Sequence, residues 1–89
     1  MTVERVVWHE KAKADYDFWI NNDKAIIEKI KNLILSCKEH PFKGIGKPEP
    51  LTGNLSGFWS RRITQEHRFV YSFSSGTLTI IQCRFHYQK

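Results

Sequence analysis

Eighty-nine residues, with 14 Lys and Arg against 9 Asp and Glu and a formal charge of +5, describe one domain (1–89) with a single core and a moderate bias toward polyanionic partners. Two cysteines far apart in sequence, Cys37 and Cys83, form neither a C-x-x-C pair nor a disulfide framework, which points to a reducing cytoplasm. Apolar runs are too short for a membrane span and MTVERVVWHEK lacks the apolar stretch of a signal peptide, so no membrane or secreted role is expected.

In chain order, ERVVW is short and β-branched and predicts a first strand. From Glu10 to about Asn21 a helix is predicted, with Ala12, Tyr16, Trp19 and Ile20 on one side and Lys11, Lys13, Asp15 and Asp17 on the other. Asn22 or Asp23 caps a second helix, along which Ile26, Ile27, Ile30, Leu33, Ile34 and Cys37 form an apolar stripe. Residues 41–59 hold all three prolines and four of the five glycines and read as one long loop, a length that is uncommon in a compact domain unless the loop has a function. GIGK within it lacks the spacing of a phosphate-cradling loop.

FWSRRIT, HRFVYSF and TLTIIQCRFHY then read as three strands of an antiparallel meander. A three-residue hairpin with Gly76 in the left-handed position would pair Phe73 with Thr77. In that register Phe69, Tyr71, Phe73, Ile81, Cys83 and Phe85 form the face that receives the helices, and Arg68, Gln82, Arg84 and His86 lie opposite. The expected fold class is α+β, in the order β-α-α-β-β-β, with two N-terminal helices packed on an antiparallel β-sheet.

The positive charge is uneven, because from Gly53 onward Arg61, Arg62, Arg68, Arg84 and Lys89 face Glu66 alone. Histidine exchanges protons near neutrality, and arginines beside it suit an anionic phosphate. Metal-free RNA cleavage needs a base for the 2′-hydroxyl, an acid for the departing 5′-oxygen and a fixed positive charge between them. His86 suits the acid and Arg68 the charge. The base must be a carboxylate or a second histidine, and Glu49, between Pro48 and Pro50, is the distinctive candidate because its backbone is restricted on both sides. No His, Cys or carboxylate pair has metal-ligand spacing, so neither a metal nor another cofactor is expected. The bland alternatives stay open at this level: a surface histidine, a solvated loop carboxylate and outward sheet arginines. His67 is read as structural, and both cysteines as small buried apolar residues.

Four ordered blocks, GKPEPL, NLSGFWSRRI, HRFVY and CRFHY, resemble the YoeB/Txe group of bacterial toxins in the RelE superfamily. The resemblance implies a RelE-like microbial ribonuclease fold and the toxin of a type II toxin–antitoxin system. It further implies a ribosome-dependent mRNA interferase that cuts message in the ribosomal A site and leaves a 2′,3′-cyclic phosphate. By motif, Glu49 would be the general base, Arg68 the phosphate stabiliser and His86 the general acid, with Tyr87 holding the substrate or the acid. Lys47, Trp59, Arg61, Arg62 and Arg84 are the expected RNA contacts. The implied partners are a cognate antitoxin with a flexible inhibitory segment, the ribosome with its mRNA, and a second copy in a homodimer. The competing class is a non-catalytic basic RNA- or ribosome-binding module, which would stack bases on Phe58 and Trp59 and needs neither Glu49 nor His86.

Overall fold

The computed structural model describes residues 2–86. Strand β1 (Arg5–Trp8) leads into helices α1 (Glu10–Asn22) and α2 (Lys24–Glu39), followed by β2 (Glu49–Pro50), a 3-10 turn (Gly53–Leu55), β3 (Trp59–Arg62), β4 (Arg68–Ser74) and β5 (Thr77–Gln82). The α+β class and the order of elements agree with the sequence reading, with one addition. The loop expected over 41–59 contributes the two-residue strand β2, so the sheet has five strands in the order β1-β5-β4-β3-β2. It is mixed rather than antiparallel, because β1 runs parallel to β5, with Val6 opposite Leu78 and Trp8 opposite Ile80. The chain passes from β1 to β5 through both helices and the other three strands, the long connection that a parallel pair requires.

Both helix starts are capped by side chains. His9 Nδ1 accepts from the backbone N–H of Lys11, and Asp23 Oδ1 accepts from those of Ala25 and Ile26, satisfying donors that an open helix end leaves unpaired. The α2 stripe of Ile26, Ile27, Ile30, Leu33 and Cys37 is buried against Phe69, Tyr71, Leu78 and Ile80 of the sheet. On α1 the expected division differs. Ile20 is half exposed, whereas Asp15 is buried and its Oδ2 accepts a 3.0 Å hydrogen bond from the backbone N–H of Cys83. The carboxylate therefore finishes the end of β5, where ladder bonding has stopped. Trp19 supplies a second tie, donating from Nε1 to the Cys83 carbonyl at 2.8 Å.

The β4–β5 turn has two residues, not three. Ser74 pairs with Thr77 across Ser75 (φ 50°) and Gly76 (φ 79°), both left-handed as a primed hairpin turn demands. A bulge corrects the facing that this tighter turn would otherwise scramble. Tyr71 pairs with Ile80 but Val70 pairs with Gln82, so Ile81 is an extra residue and the face switches there. Leu78 and Ile80, rather than Ile81, cover the helices, and Cys83 rejoins the core.

Cys37 and Cys83 are both fully buried. Burial pushes both thiols up, Cys83 to about 12 with the Asp15 carboxylate adding to it, so neither forms the reactive thiolate at neutral pH. At pH 8 an aromatic disulfide reagent is expected to label neither cysteine until denaturant is added. Stoichiometric labelling of native protein within minutes would contradict the packing.

Candidate active site

Register assembles the site. Glu49 pairs with Ser60, Ser60 with Val70, and Val70 with Gln82. Residues paired across strands share a face, so Glu49, Ser60, Val70 and Gln82 form one rung on the side of the sheet away from the helices. Two residues along, Arg62 pairs with Arg68 on that same face. Glu49 and Gln82 are three strand spacings apart, about 14 Å, and the arginine pair lies beside the line joining them. Ser60 and Val70 are buried beneath this row, while Glu49 and Arg62 are exposed. Like charges at paired positions repel, and an anion bound between them would relieve that repulsion.

Arg68 is almost buried. Its Nη1 donates to the carbonyls of Thr64 (2.8 Å), Gln65 (3.1 Å) and His67 (3.2 Å), which pins the group by one nitrogen. Among the described residues Nε and Nη2 make no hydrogen bond, so donors remain for a ligand.

The backbone of His86 is held by a strained turn rather than by strand pairing. The expected last strand stops at Gln82. Beyond it Phe85 adopts φ 61°, which is a genuine outlier for a bulky residue. Several bonds hold it there. The Phe85 N–H donates to His67 Nδ1 at 2.8 Å, and its carbonyl accepts from the Arg68 N–H at 3.0 Å. Gln82 Nε2 faces the carbonyls of Arg84, Phe85 and His86 at 3.0, 3.4 and 3.2 Å. Gln82 belongs to the rung of Glu49, so this amide tethers the backbone of His86 to the edge of that rung. His67 is structural as expected, with its ring edge-on to Trp19 at 4.7 Å.

Glu49 also follows a strained residue. Lys47, exposed and just before Pro48, has φ 51°. Among the described residues three non-glycines have positive φ. One makes the hairpin turn and the other two flank Glu49 and His86, and strain of this kind concentrates at functional sites. Pro50 suits its place on β2, because an edge strand lacks one ladder partner anyway.

Two expected RNA contacts are elsewhere. Arg61 alternates onto the helix face and is fully buried. Its Nε donates to Tyr71 Oη (3.1 Å), Nη1 to Ser36 Oγ (2.7 Å) and the Ile45 carbonyl (3.1 Å), and Nη2 to the carbonyls of His40 (2.9 Å) and Lys43 (2.8 Å). All five N–H groups are thus engaged, and the group organises the loop that leads to Glu49. Tyr71 Oη in turn donates to the Pro41 carbonyl, and burial raises its phenol to about 12. Gly46 is part of the same fit, since a Cβ there would come within 2.7 Å of Leu33 Cδ2. Trp59 shares the rung of Pro50 and Tyr71 on the opposite face from Glu49, and its ring packs on Phe42 at 4.7 Å. Arg84 lies over the ring of Phe18 at 3.5 Å. Tyr87 falls outside the described residues.

The sequence reading assigned no role to Gln82, Asp15 or Ser60. A polar residue in IIQCRF, amid otherwise apolar strand positions, was the available signal for Gln82.

The described chain has no helix long and apolar enough to cross a membrane. The model of the YoeB-like toxins of bacterial type II toxin–antitoxin systems matches residues 8–87. Toxin YoeB of Escherichia coli K12 is 52% identical over 83 residues, covering 93% of this chain and 99% of that protein. Toxin YoeB of Synechocystis is 52% identical over 82 residues, covering 92% and 90%. Among solved structures, the YoeB/ParE toxin from Agrobacterium tumefaciens is similar with a TM-score of 0.89 and 54% identity, covering 93% of this chain and 99% of that one. A chain of the YoeB–YefM complex from Staphylococcus aureus has a TM-score of 0.86 and 38% identity, covering 92% and 95%.

Proposed function

This chain belongs to the YoeB-like family of type II toxin–antitoxin toxins, and from that premise we propose that it is a ribosome-dependent endoribonuclease that cuts mRNA in the A site. The observation that carries the reading is the single helix-free face that holds Glu49, Arg62 and Arg68 and to whose edge Gln82 tethers His86. Glu49 takes the proton of the ribose 2′-hydroxyl, whose oxygen then attacks phosphorus. His86 gives a proton to the departing 5′-oxygen, and the products are a 2′,3′-cyclic phosphate and a 5′-hydroxyl. Arg68, with Arg62 opposite, carries the positive charge that meets the phosphorane. Tyr87 holds the substrate or the acid, and Lys47 and Arg84 contact RNA beside it.

A carboxylate is a weak base for a ribose hydroxyl, so alignment of attacking oxygen, phosphorus and leaving oxygen must supply much of the acceleration. The ribosome supplies that alignment, and the toxin supplies acid, base and charge. The protein acts in the cytoplasm. Its inhibitor is an antitoxin with a flexible segment, a partnership supported by the YoeB–YefM complex among the structural neighbours, and a YoeB dimer from Staphylococcus aureus supports self-association.

The test incubates the protein, in chelator, with ribosomes carrying a defined message and analyses the fragment ends. Cyclic phosphate ends at the A-site codon, and much slower cutting of naked RNA, are expected. Equal rates on naked and ribosome-bound RNA would refute the division of labour, and no cleavage at all would favour a binding module.

A further inference from the structure

A cavity of about 330 Å³ adjoins the Gln82 end of the site and is lined by Lys11, Gln82, Arg84, Phe85 and His86. Among the described residues its charge is one-sided, with two cations, a histidine and no carboxylate in the lining. The Arg84 guanidinium is fixed over Phe18 at 3.5 Å and Phe85 at 4.4 Å. Its Nε is buried and has no hydrogen-bond partner among the described residues, and no carboxylate there forms an ion pair with it. The two ring contacts hold the guanidinium in place without neutralising its charge.

Lys11 is placed in an unrewarding way. It stands in the first turn of α1, where the helix dipole disfavours a cation. Its one ion pair among the described residues, to Asp15 Oδ1, is long at 3.5 Å and runs base-before-acid, the weaker order along a helix. The other oxygen of Asp15 is engaged with the Cys83 N–H, and the lysine side chain remains 53% exposed.

We infer that Lys11 and Arg84 form a second phosphate subsite, which binds the phosphodiester of single-stranded RNA next to the one being cut, on the leaving-group side. The side follows from His86, which borders the cavity: the acid must stand beside the departing 5′-oxygen, and the strand beyond that oxygen continues into the Lys11–Arg84 cavity. This assignment rests on the proposed acid role of His86, but the binding of an anion there does not.

The test therefore measures binding, not turnover. A short 2′-O-methyl RNA, which has no attacking hydroxyl, is titrated into the free protein over a salt series. A matched set of oligonucleotides carries one neutral methylphosphonate linkage at each position in turn. Lys11→Ala should bind about 10-fold more weakly, with the slope of log affinity against log salt shallower by about 0.7. Lys11→Arg should restore both values. Lys13→Ala, which removes the same charge from α1 outside the cavity, should leave them unchanged. At one linkage the methylphosphonate should weaken the wild type as much as Lys11→Ala does and weaken Lys11→Ala no further. Wild-type affinity in Lys11→Ala, an equal loss in Lys13→Ala, or penalties that add at every linkage would overturn the subsite. If this pattern holds while ribosome-bound message goes uncut, the enzyme reading fails and the anion site stands. A flat binding series with normal cleavage removes the subsite and leaves the enzyme reading intact.

Discussion

Replacing His86 with glutamine, or Glu49 with glutamine, is expected to slow cleavage of ribosome-bound message by about 10²- to 10⁴-fold and to abolish growth inhibition, with little change in thermal melting. Both residues are exposed, and glutamine roughly keeps the size of the group while offering neither an imidazolium acid nor a carboxylate base. Single-turnover rates on stalled ribosomes, with ribosome binding measured in parallel, separate chemistry from association. Full toxicity in both variants would assign the activity to binding alone. Arg68 offers a third test of the same kind. Arg68→Lys retains a charge but loses the planar fork that rests on three carbonyls, and should cost about 10²- to 10³-fold in rate.

The other large effect is on stability, and it separates two arginines adjacent in sequence. Arg61→Ala removes five donors at once, strands the carbonyls of His40, Lys43 and Ile45, and leaves a hole beside Tyr71. Breaking such a buried charged network costs about 3–5 kcal/mol, a large share of the roughly 4–13 kcal/mol available to a domain of this size. The melting temperature should fall by more than about 12 °C, and Glu49 should lose its fixed approach as the loop loosens. Arg62→Ala, at an exposed site, should stay within about 0.5 kcal/mol of wild type while reducing cleavage. Circular dichroism melts of the two variants decide the matter, and similar melting temperatures would show that the buried network contributes little.

That contrast also marks how far the residues alone could lead. SRRI announces a strand, and strict alternation requires its two arginines to face opposite ways, but nothing local says which one faces the helices. The tighter hairpin and the compensating bulge at Ile81 were similarly hidden. Both turn lengths are compatible with SSG, and the choice is made by the twist of the paired strands and the demands of the core. The α2 stripe was legible because Ile26, Ile30, Leu33 and Cys37 repeat with the helical period over about three turns. On α1 the pattern was short, and Asp15 could be buried because a backbone N–H far along the chain needed an acceptor.

By itself the sequence determined the α+β class, the order of its main elements, the apolar face of α2 and the family to which the four motif blocks belong. These depend on local periodicity and on residue types that carry their chemistry wherever they lie. The tertiary structure alone decided that β1 joins in parallel, that Arg61 is inside and Arg62 outside, and that a strained Phe85, held by Gln82 and His67, fixes the backbone beside His86. Each of those outcomes depends on hydrogen bonds between residues far apart in the chain, and such bonds have a definite geometry only after the sheet has closed.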